Sequence, residues 1–403
     1  MNVASQIPAV GPLAGLSVVE LGDGTAGPYA AKLLGDFGAE VIKVEGPDGD
    51  SSRRRGPFPD GRPDPEASGL FLYLNINKRG VVLDCASADG RKALDRLLAP
   101  ADIFVTNLPI ERLRAAGLMP AELRARYPRL IVTTITPFGM KGPWANRRGD
   151  ELVTYAMGGI AYSTPGMPDA ANDLEHEPPL HPSSFTAETI AGLCAGLASL
   201  TALLGRAKTQ QGCHLDVSQQ AAVASMQHRD VTTYSYWGGT YNRLLNPTTI
   251  GRMPNFYLPC KDGYVTIPAP MDVHWERLVE AMGSPAWAGT PQFATSPART
   301  ENWIELRMRL IDWTMTLSGE ELYGLANQTQ LPIFQFYPVR KLVQCDQVAA
   351  RNSVVDIEIG HRRAKMPGAP FTMRATPWTM RLPAPRLGEH NAMLLDEPER
   401  AVS

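Results

Sequence analysis

The chain contains 403 residues, of which 44% are hydrophobic and 20% charged, and its formal net charge is −2. This composition is typical of a globular protein, and the length predicts two domains or one domain with a large insertion. The near-neutral charge argues against any general attraction to nucleic acid or to an anionic membrane.

The targeting and metal-binding signals of other protein classes are missing. The start, MNVASQIPAVGPLAG, has neither a basic region nor an apolar run, so we expect no signal peptide. No uninterrupted apolar stretch approaches the roughly 20 residues of a membrane helix. Five scattered cysteines favour a reducing compartment, so we expect a cytoplasmic protein. Seven histidines show no paired ligand spacing, and we predict no metal site.

Strand and helix patterns alternate from the start of the chain. Residues 16–21 (LSVVEL) predict a strand, YAAKLLGDFG a helix, and residues 40–45 (EVIKVE) a second strand. The connection at residues 22–27, GDGTAG, fits G-x-G-x-x-G, and the second strand ends in Glu45. Alone, this pattern indicates a dinucleotide loop, so an NAD-dependent oxidoreductase is one alternative. Pro28 after the third glycine weighs against it, as does the lack of a recognisable hydride-transfer site.

The alternation continues beyond this unit. Further strands are predicted at residues 79–85, 102–107, 130–139 and 213–217, with helices between them. Repeated units of this kind predict an α/β protein with a doubly wound parallel sheet and helices on both faces. Because ligands bind such sheets at the carboxyl ends of the strands, we expect the site near residues 22–27, Asn107 and residues 136–139.

Composition divides the chain into three stretches. We assign residues 1–227 to the large domain and residues 228–330, where the alternation is lost, to a smaller α+β domain. Two amphipathic helices are expected in the smaller domain, near residues 275–282 and 303–315. Residues 331–403 are interpreted as a return segment that completes the large domain, with its proline-rich part at 367–388 running extended.

The segment from Ser183 to Leu204 predicts a long helix. Apolar residues at three- and four-residue steps predict a buried stripe, made of Ile190, Leu193, Cys194, Leu197, Leu200 and Leu204. Alanines and glycines between them leave a second, thin face that another backbone or a ligand can approach closely. Candidate N-caps are Ser183, Ser184 and Thr186.

One carboxylate, Glu188, lies in the first turn of this helix. Because helix N-termini favour negative charge, we expect Glu188 to be ionised. It is either a solvated first-turn glutamate, which helix statistics alone favour, or a carboxylate nucleophile.

Taken in order, these motifs resemble the family III CoA-transferases, the CaiB/BaiF group. The opening LAGLSVVELGDGTAGPYAAKLLGDFGAEVIKVEGPDGDSSRR is similar to that family's start, and LNINKRGVVLD, PFGMKGPW, RAKTQQGCHLDVSQQAA and APRLGEH follow in the family's order. The resemblance covers nearly the whole chain. It implies a Rossmann-like large domain, a smaller inserted domain and two chains interlocked as a dimer. It also implies that residues 22–27 face the CoA part of an acyl-CoA rather than a nicotinamide.

The chemistry of CoA transfer needs a carboxylate that attacks a thioester and forms a mixed anhydride. A glutamate with an ordinary pKa of about 4.3 is ionised at neutral pH and needs no partner base. The lack of a Ser/His/Asp constellation is therefore no objection. We expect no permanently bound cofactor, with coenzyme A entering as an acyl-CoA substrate and a carboxylic acid as its reaction partner.

Residues that match the family's CoA-binding motifs are carried over as candidates. CoA phosphates need lysine, arginine and the N–H groups of helix N-termini. The candidate CoA-binding residues are Gly24, Thr25, Ala26, Arg53, Asn75, Lys78, Asn107 and Leu108. The family uses the lysine and asparagine that match Lys78 and Asn107, whereas the arginine run at 53–55 is equally compatible with a solvated loop.

The sequence departs from the family at its catalytic position. The family's nucleophile is an aspartate four residues before a glycine, and counting back from Gly192 gives Glu188. The family's glycine-rich loop is also missing, with NPTTIGRMPN at 246–255 in its place. The family's F-R-P-G segment reads NLPI at 107–110.

Two explanations stay open. Glu188 is a working substitute, or the chain is a non-catalytic structural subunit that pairs with an aspartate-bearing homologue, as in the benzylsuccinate-type CoA-transferases. Homodimer and heterodimer are therefore both expected arrangements. An acyl-CoA racemase, which needs a histidine at the position of Asp150 and an aspartate near Glu188, ranks third. Aromatic residues within 234–241 indicate an apolar or aromatic acyl group.

Overall fold

The computed structural model describes residues 11–164, 179–239, 255–268, 271–359 and 362–395, which divide into two compact units. The first unit takes the described residues up to Ala161, those from His181 to Gly238, and those from Ala350 onward. The second takes the described residues of Tyr162–Leu180 and Gly239–Ala349. The small domain predicted at residues 228–330 overlaps the second unit, which also includes the described residues of Tyr162–Leu180 and extends to Ala349.

The sheet of the first unit has six strands: β1 (Ser17–Leu21), β2 (Glu40–Glu45), β3 (Lys78–Val82), β4 (Ile103–Thr106), β5 (Ile131–Thr136) and β6 (His214–Ser218). All neighbours are parallel, in the order β3-β2-β1-β4-β5-β6. The predicted doubly wound parallel sheet is confirmed. The strand order reverses between β1 and β4, so the carboxyl ends of these strands open the crevice where such sheets bind ligands.

The helices between residues 26 and 237 of the described chain are α1 (Ala26–Asp36), α2 (Gly69–Asn75), α3 (Ala88–Leu98), α4 (Ile110–Ala115), α5 (Pro120–Arg126), α6 (Glu151–Met157), α7 (Ile160–Ser163), α8 (Thr186–Thr209), α9 (Gln219–Met226) and α10 (His228–Trp237). A short 3-10 turn lies at Ser51–Arg54. Successive side chains of a strand point to opposite faces of the sheet. Both faces of this parallel sheet are apolar, and helices cover both. Val18 packs with α1 and α8 on one face, and Val19 packs with α3, α4 and α5 on the other.

Helix α8 buries its small residues rather than its leucines. Ala187, Ala191, Gly192, Ala195 and Gly196 are buried, whereas Leu193, Leu197 and Leu204 are 53%, 65% and 72% exposed. The predicted apolar stripe is therefore wrong for these three leucines, and the thin face is the one that packs. The physical reason is the close approach of α1, because a Cβ at Gly192 would lie 2.7 Å from the Ala26 carbonyl oxygen.

The second unit has its own small sheet and core. Strands β7 (Asn255–Cys260), β8 (Gly263–Pro268) and β9 (Phe334–Gln335) are antiparallel. The helices are α11 (Asp272–Ala281), α12 (Ser296–Glu301), α13 (Trp303–Thr314), α14 (Gly319–Thr329), α15 (Val339–Leu342) and α16 (Asp346–Ala350). The predicted helices near 275–282 and 303–315 correspond to α11 and α13, which enclose a core with Leu258, Leu306 and Leu322.

After α16 the chain adds to the first unit. β10 (Val354–Ile359) and β11 (Arg362–Pro367) form an antiparallel hairpin that the sequence did not predict. The proline-rich part that follows has neither helix nor strand and runs along β3, where the Leu382 carbonyl accepts from Asn77 N and His390 N donates to the Gly80 carbonyl. Helix α17 (Asn391–Leu394) ends the described chain.

By length and composition alone, α8 is apolar enough to cross a membrane, which the sequence analysis did not anticipate. Core helices of globular domains satisfy the same criteria, and one face of α8 packs on α1 and the sheet. All five cysteines are free thiols. The cytoplasmic location stays a prediction.

The close packing of α8 on α1 predicts opposite effects for two glycines of the same helix. Gly192→Ala should lower the free energy of unfolding by about 1–3 kcal/mol, because the new methyl meets the α1 backbone. Gly205→Ala is the matched control: no atom lies within 4 Å of its Cβ, so it should raise stability by about 0.5–1 kcal/mol. Denaturant unfolding measures both, and equal effects would contradict the packing described.

Candidate active site

The loop between β1 and α1 lies at the carboxyl edge of the sheet, beside the end of β4. Gly24 adopts a positive φ of 73°, which favours glycine. Asn107, directly after β4, holds the loop from the other side: its Oδ1 accepts from Asp23 N at 2.8 Å and its Nδ2 donates to the Asp23 carbonyl at 2.6 Å. A Cβ at Gly27 would lie 2.7 Å from Asn107 Oδ1, so this position also requires glycine.

A cluster of buried charges lies beneath this loop. Lys43 Nζ bridges Glu20 at 2.9 Å and Asp50 at 2.6 Å, and Lys78 Nζ lies 2.7 Å from the other oxygen of Glu20. All four side chains are fully buried. Asp50 Oδ1 accepts from Gly24 N at 3.1 Å, so the cluster fixes the loop directly.

A second pair extends the cluster. Arg53 binds Glu45 through Nε and Nη2 at 2.7 and 2.8 Å, and its guanidinium stacks 3.7 Å from the centre of the Phe71 ring. Glu45 Oε2 also accepts from Asp50 N at 2.8 Å, which joins the pair to the first group. We call the three acids and three bases the ionic cluster: Glu20, Glu45, Asp50, Lys43, Arg53 and Lys78. Its formal charges cancel, as buried charges require.

The geometry of the ionic cluster explains how the pKa values of its members are shifted. Burial disfavours the charge on Glu20, yet Lys43 and Lys78 together hold its pKa below the usual range. Burial lowers the pKa of Lys78 to about 8, since Lys78 shares its one carboxylate with Lys43. The pKa of Lys43, which faces carboxylates on two sides, is raised despite its burial.

Three residues predicted to bind CoA lie inside this buried region. Lys78 Nζ donates its three hydrogen bonds to Glu20, to the Pro28 carbonyl at 2.8 Å and to Asn75 Oδ1 at 2.8 Å. Asn75 is fully buried, and Arg53 is 2% exposed. These positions argue against direct contact with a CoA phosphate and favour a role in holding the β1–α1 loop.

Two adjoining cavities open at the carboxyl edge of the sheet. The first, of about 640 Å³, lies over the ends of β1, β2 and β3 and is lined by residues that include Arg54, Arg91 and Arg112. The second, of about 630 Å³, holds Gly24, Asn107, Arg55, Arg147, Arg148, Asp150 and Glu188. Asp23, Leu108 and Arg112 line both, so the two cavities lie side by side. We call the second one the carboxylate chamber.

The structure thus brings together only part of the predicted site. Gly24, Asn107, Leu108 and Glu188 meet at the carboxylate chamber. Thr25, by contrast, is 2% exposed, and Ala26 is fully buried in the first turn of α1. Neither of these two is among the chamber's lining residues.

Glu188 enters the carboxylate chamber from the start of α8. Its Oε2 lies 4.0 Å from the point that a Cβ on Gly24 would occupy. Burial raises the pKa of Glu188, and the charges of Glu151 and Asp150 add to the rise, while Thr25 and Arg55 oppose it. Thr25 Oγ1 is itself buried without a hydrogen-bond partner of normal geometry in the described structure.

The expected stabilisation of Glu188 by the helix end is wrong. Glu151, the first residue of α6, accepts from the N–H groups of Ala187 and Glu188 at 2.9 and 2.8 Å, so another carboxylate already occupies that position. The N-cap residue is Phe185, which makes no side-chain cap, rather than Ser183, Ser184 or Thr186.

Several residues of the site were missed by the sequence analysis. Glu20 and Lys43 stand inside otherwise apolar strands, and opposite charges at the core positions of paired strands are a signal for a buried ion pair. Within the arginine run, Arg54 and Arg55 line cavities, whereas Arg53 is the buried one. Glu151 gave no signal, because its contact with α8 depends on the tertiary fold.

Comparison with known proteins identifies the family of the chain. Residues 13–391 match the family described as CoA-transferase family III. The chain is 30% identical to a succinyl-CoA–D-citramalate CoA-transferase of Chloroflexus aurantiacus over 94% of this chain and 92% of that one. It is also 30% identical to the beta subunit of a succinyl-CoA–L-malate CoA-transferase from the same organism, over 96% and 94%. The crystal structure of a CaiB/BaiF family protein from Brucella suis superposes with a TM-score of 0.84 at 29% identity, covering 95% and 98%.

Because Lys78 belongs to the ionic cluster, its substitution should destabilise the folded protein rather than remove a direct contact with CoA. Lys78→Met should lower the free energy of unfolding by about 3–5 kcal/mol, because the buried Glu20 loses one of its two lysine partners. Lys92→Met is the control, since Lys92 is 73% exposed in a surface pair and should change stability by less than about 0.5 kcal/mol. Thermal unfolding measures both. A stable Lys78→Met protein that has lost CoA binding would contradict this account and favour direct contact with CoA.

Proposed function

We propose that this chain, which belongs to CoA-transferase family III, moves CoA from an acyl-CoA to a carboxylic acid, with Glu188 carrying CoA between the two. The observation behind the proposal is that Glu188 lines a chamber that adjoins the cavity over β1, β2 and β3 and shares three of its lining residues. A thioester bound across the two cavities would present its carbonyl carbon to this carboxylate.

The reaction then runs through the side chain of Glu188. A carboxylate oxygen attacks the thioester carbonyl carbon, and the carbon–sulfur bond breaks to give a mixed anhydride and CoA thiolate. The thiolate attacks the glutamyl carbonyl carbon, the anhydride carbon–oxygen bond breaks, and the first acid leaves a Glu188–CoA thioester. The acceptor carboxylate attacks that thioester, and the same two steps in reverse order deliver CoA to the acceptor and restore Glu188.

The surroundings of Glu188 suit this role. A partly desolvated carboxylate with a raised pKa is a stronger nucleophile than a solvated one once it is ionised. Arg55 and the Thr25 hydroxyl favour the ionised form that attacks. Since burial raises the pKa of Glu188, the rate of attack should begin to fall at a higher pH than it would for a solvated glutamate as the pH is lowered.

We place the nucleotide end of CoA in the cavity over β1, β2 and β3. Arg54, Arg91 and Arg112 line it and supply the charges that phosphates need. The pantetheine arm then passes Leu108, which lines both cavities, and reaches Glu188. Gly24 and Asn107 shape this passage, and the ionic cluster holds Gly24 in place from below.

The acid substrate, we infer, carries a second carboxylate. Arg55 and Arg147 line the carboxylate chamber, supported by the rings of Phe185 and Trp144 at 5.2 and 4.8 Å. In the described part of the chain neither guanidinium forms an ion pair, so both are available to an anion. The acids named for the two relatives above, citramalate and malate, are dicarboxylates. Among the described residues of 234–241, none lines the chamber, so the expected apolar acyl group gains no support.

A second candidate function follows from the residue type at position 188. Glutamate places its carboxylate one methylene further from the backbone than aspartate, and a shift of about 1 Å costs on the order of 100-fold in rate unless the pocket compensates. The relative named as a beta subunit belongs to a multi-subunit enzyme. The chain would then be the structural subunit, with an aspartate-bearing partner performing the transfer.

The covalent role of Glu188 has a direct test. Incubation of the isolated chain with succinyl-CoA should leave a Glu188–CoA thioester, which hydroxylamine converts to a hydroxamate that peptide mass spectrometry locates. Glu188→Gln should abolish the adduct and keep the fold, since the amide has the same shape. Glu276→Gln, on the exposed face of α11, is the control and should form the adduct normally. An adduct found only on a co-purified homologue would favour the structural-subunit role instead.

The two neighbouring arginines should have separable effects. Arg55→Gln should reduce the turnover of dicarboxylate acceptors about 10- to 100-fold, the loss of one charge-assisted hydrogen bond. Monocarboxylate acceptors should lose less, because for them the substitution only removes the charge that favours ionised Glu188. Arg54→Gln should instead weaken CoA binding about tenfold and leave the preference among acids intact. Acceptor-dependent kinetics and CoA titration distinguish them, and identical profiles for the two variants would contradict the assignment.

We also propose that the chain forms a dimer, with itself or with a related subunit. Helix α8 exposes Leu193, Leu197 and Leu204, and α10 exposes Tyr236 and Trp237 by 80% and 73%. Exposed apolar surface on this scale is typical of protein interfaces. Sedimentation should therefore show a mass above the 43.8 kDa of one chain, and a monomer at micromolar concentration would contradict the proposal.

A further inference from the structure

Glu151 belongs to α6, yet its carboxylate completes the beginning of α8. Oε1 accepts from Ala187 N at 2.9 Å and Oε2 accepts from Glu188 N at 2.8 Å. The side chain is largely buried, and it supplies the cap that Phe185, the N-cap residue of α8, does not provide. A helix end without such partners leaves its first N–H groups unsatisfied.

The consequence for Glu188 is geometric. A glutamate in the first turn of a helix is attracted to the partial positive charge on the unsatisfied N–H groups of that turn. Here two of those N–H groups are bonded to Glu151, so Glu188 does not take them. Its carboxylate extends toward Gly24 and lines the carboxylate chamber instead.

We propose that Glu151 is a positioning residue: by occupying the N–H groups of Ala187 and Glu188, it keeps the Glu188 carboxylate off the helix end and turned into the chamber. The proposal rests on the transfer role of Glu188 for its catalytic meaning. Its structural content, the orientation and protonation of Glu188, is testable without any reaction.

The charges around Glu188 support the same role. Glu188 faces Thr25, Arg55, Asp150 and Glu151, and the repulsion from Glu151 adds to the effect of burial in raising the Glu188 pKa. His181 also contacts Glu151, with Nε2 3.0 Å from Oε1. The ring of Tyr155 packs on His181 with ring centres 4.7 Å apart. His181 thus adds a third contact that holds the Glu151 carboxylate in place, beside the N–H groups of Ala187 and Glu188.

The test compares two substitutions of Glu151. Glu151→Gln keeps the shape and one acceptor oxygen but removes the charge, and its amide nitrogen cannot accept from the second N–H group. Glu188 should therefore titrate at lower pH and remain partly held off the helix end. Glu151→Ala frees both N–H groups, so Glu188 should fold back onto the helix end. Its pKa should then fall further, and adduct formation with succinyl-CoA should slow by about 100-fold or more. Glu276→Gln is the control and should change neither quantity.

Two readouts keep the outcomes separate. Carbon-13 NMR of the full chain labelled at the glutamate carboxyl carbon follows the titration of Glu188, assigned by the signal missing in Glu188→Gln. Hydroxylamine trapping follows the adduct rate. A Glu188 titration identical in wild type and both Glu151 variants would overturn the proposal, as would an undiminished adduct rate in Glu151→Ala. If Glu151→Ala does not fold, the titration of Glu151→Gln decides alone. If wild type forms no adduct, the transfer role of Glu188 fails, and the titrations still decide whether Glu151 positions it.

Discussion

The buried ionic cluster beneath the β1–α1 loop is the constraint on which the rest of the site depends. Lys43 bridges Glu20 and Asp50, and Asp50 in turn holds the N–H of Gly24. Each charge has a partner of opposite sign, because an unpaired charge at this depth would cost several kcal/mol. The loop that borders the carboxylate chamber is thus fixed by hydrogen bonds to a rigid core as well as by its own glycines, Gly24 and Gly27.

A second constraint brings Glu188 to that loop. Helix α8 lies so close to α1 that a methyl group at Gly192 would meet the α1 backbone. The small residues of α8 therefore allow the close contact with α1, and three of its leucines are exposed on the other face. Since α1 begins directly after the β1–α1 loop, this contact sets the distance between Gly24 and Glu188.

The sequence predicted the sheet well, because alternation of strand and helix depends on local pattern. Six strands and their doubly wound arrangement could be predicted from runs such as LSVVEL and EVIKVE. The burial pattern of α8 could not be predicted from the sequence. Apolar periodicity does not reveal that a face of glycines and alanines packs more closely than a face of leucines. Of the residues predicted to bind CoA, Gly24 and Asn107 line the carboxylate chamber, and their role stays a prediction. The burial of Lys78 and Arg53 could not be predicted, because their acidic partners, Glu20 and Glu45, lie on β1 and β2.

Cocrystallisation of the chain with a non-hydrolysable acyl-CoA tests the central claim, that the ionic cluster supports the site from below while Glu188 faces the reacting carbon. The account predicts the nucleotide near Arg54 and Arg91 and the acyl carbonyl within reach of Glu188. It also predicts that Lys78 stays bonded to Glu20 and Asn75. A ligand phosphate bound by Lys78, or an acyl group directed away from Glu188, would contradict it.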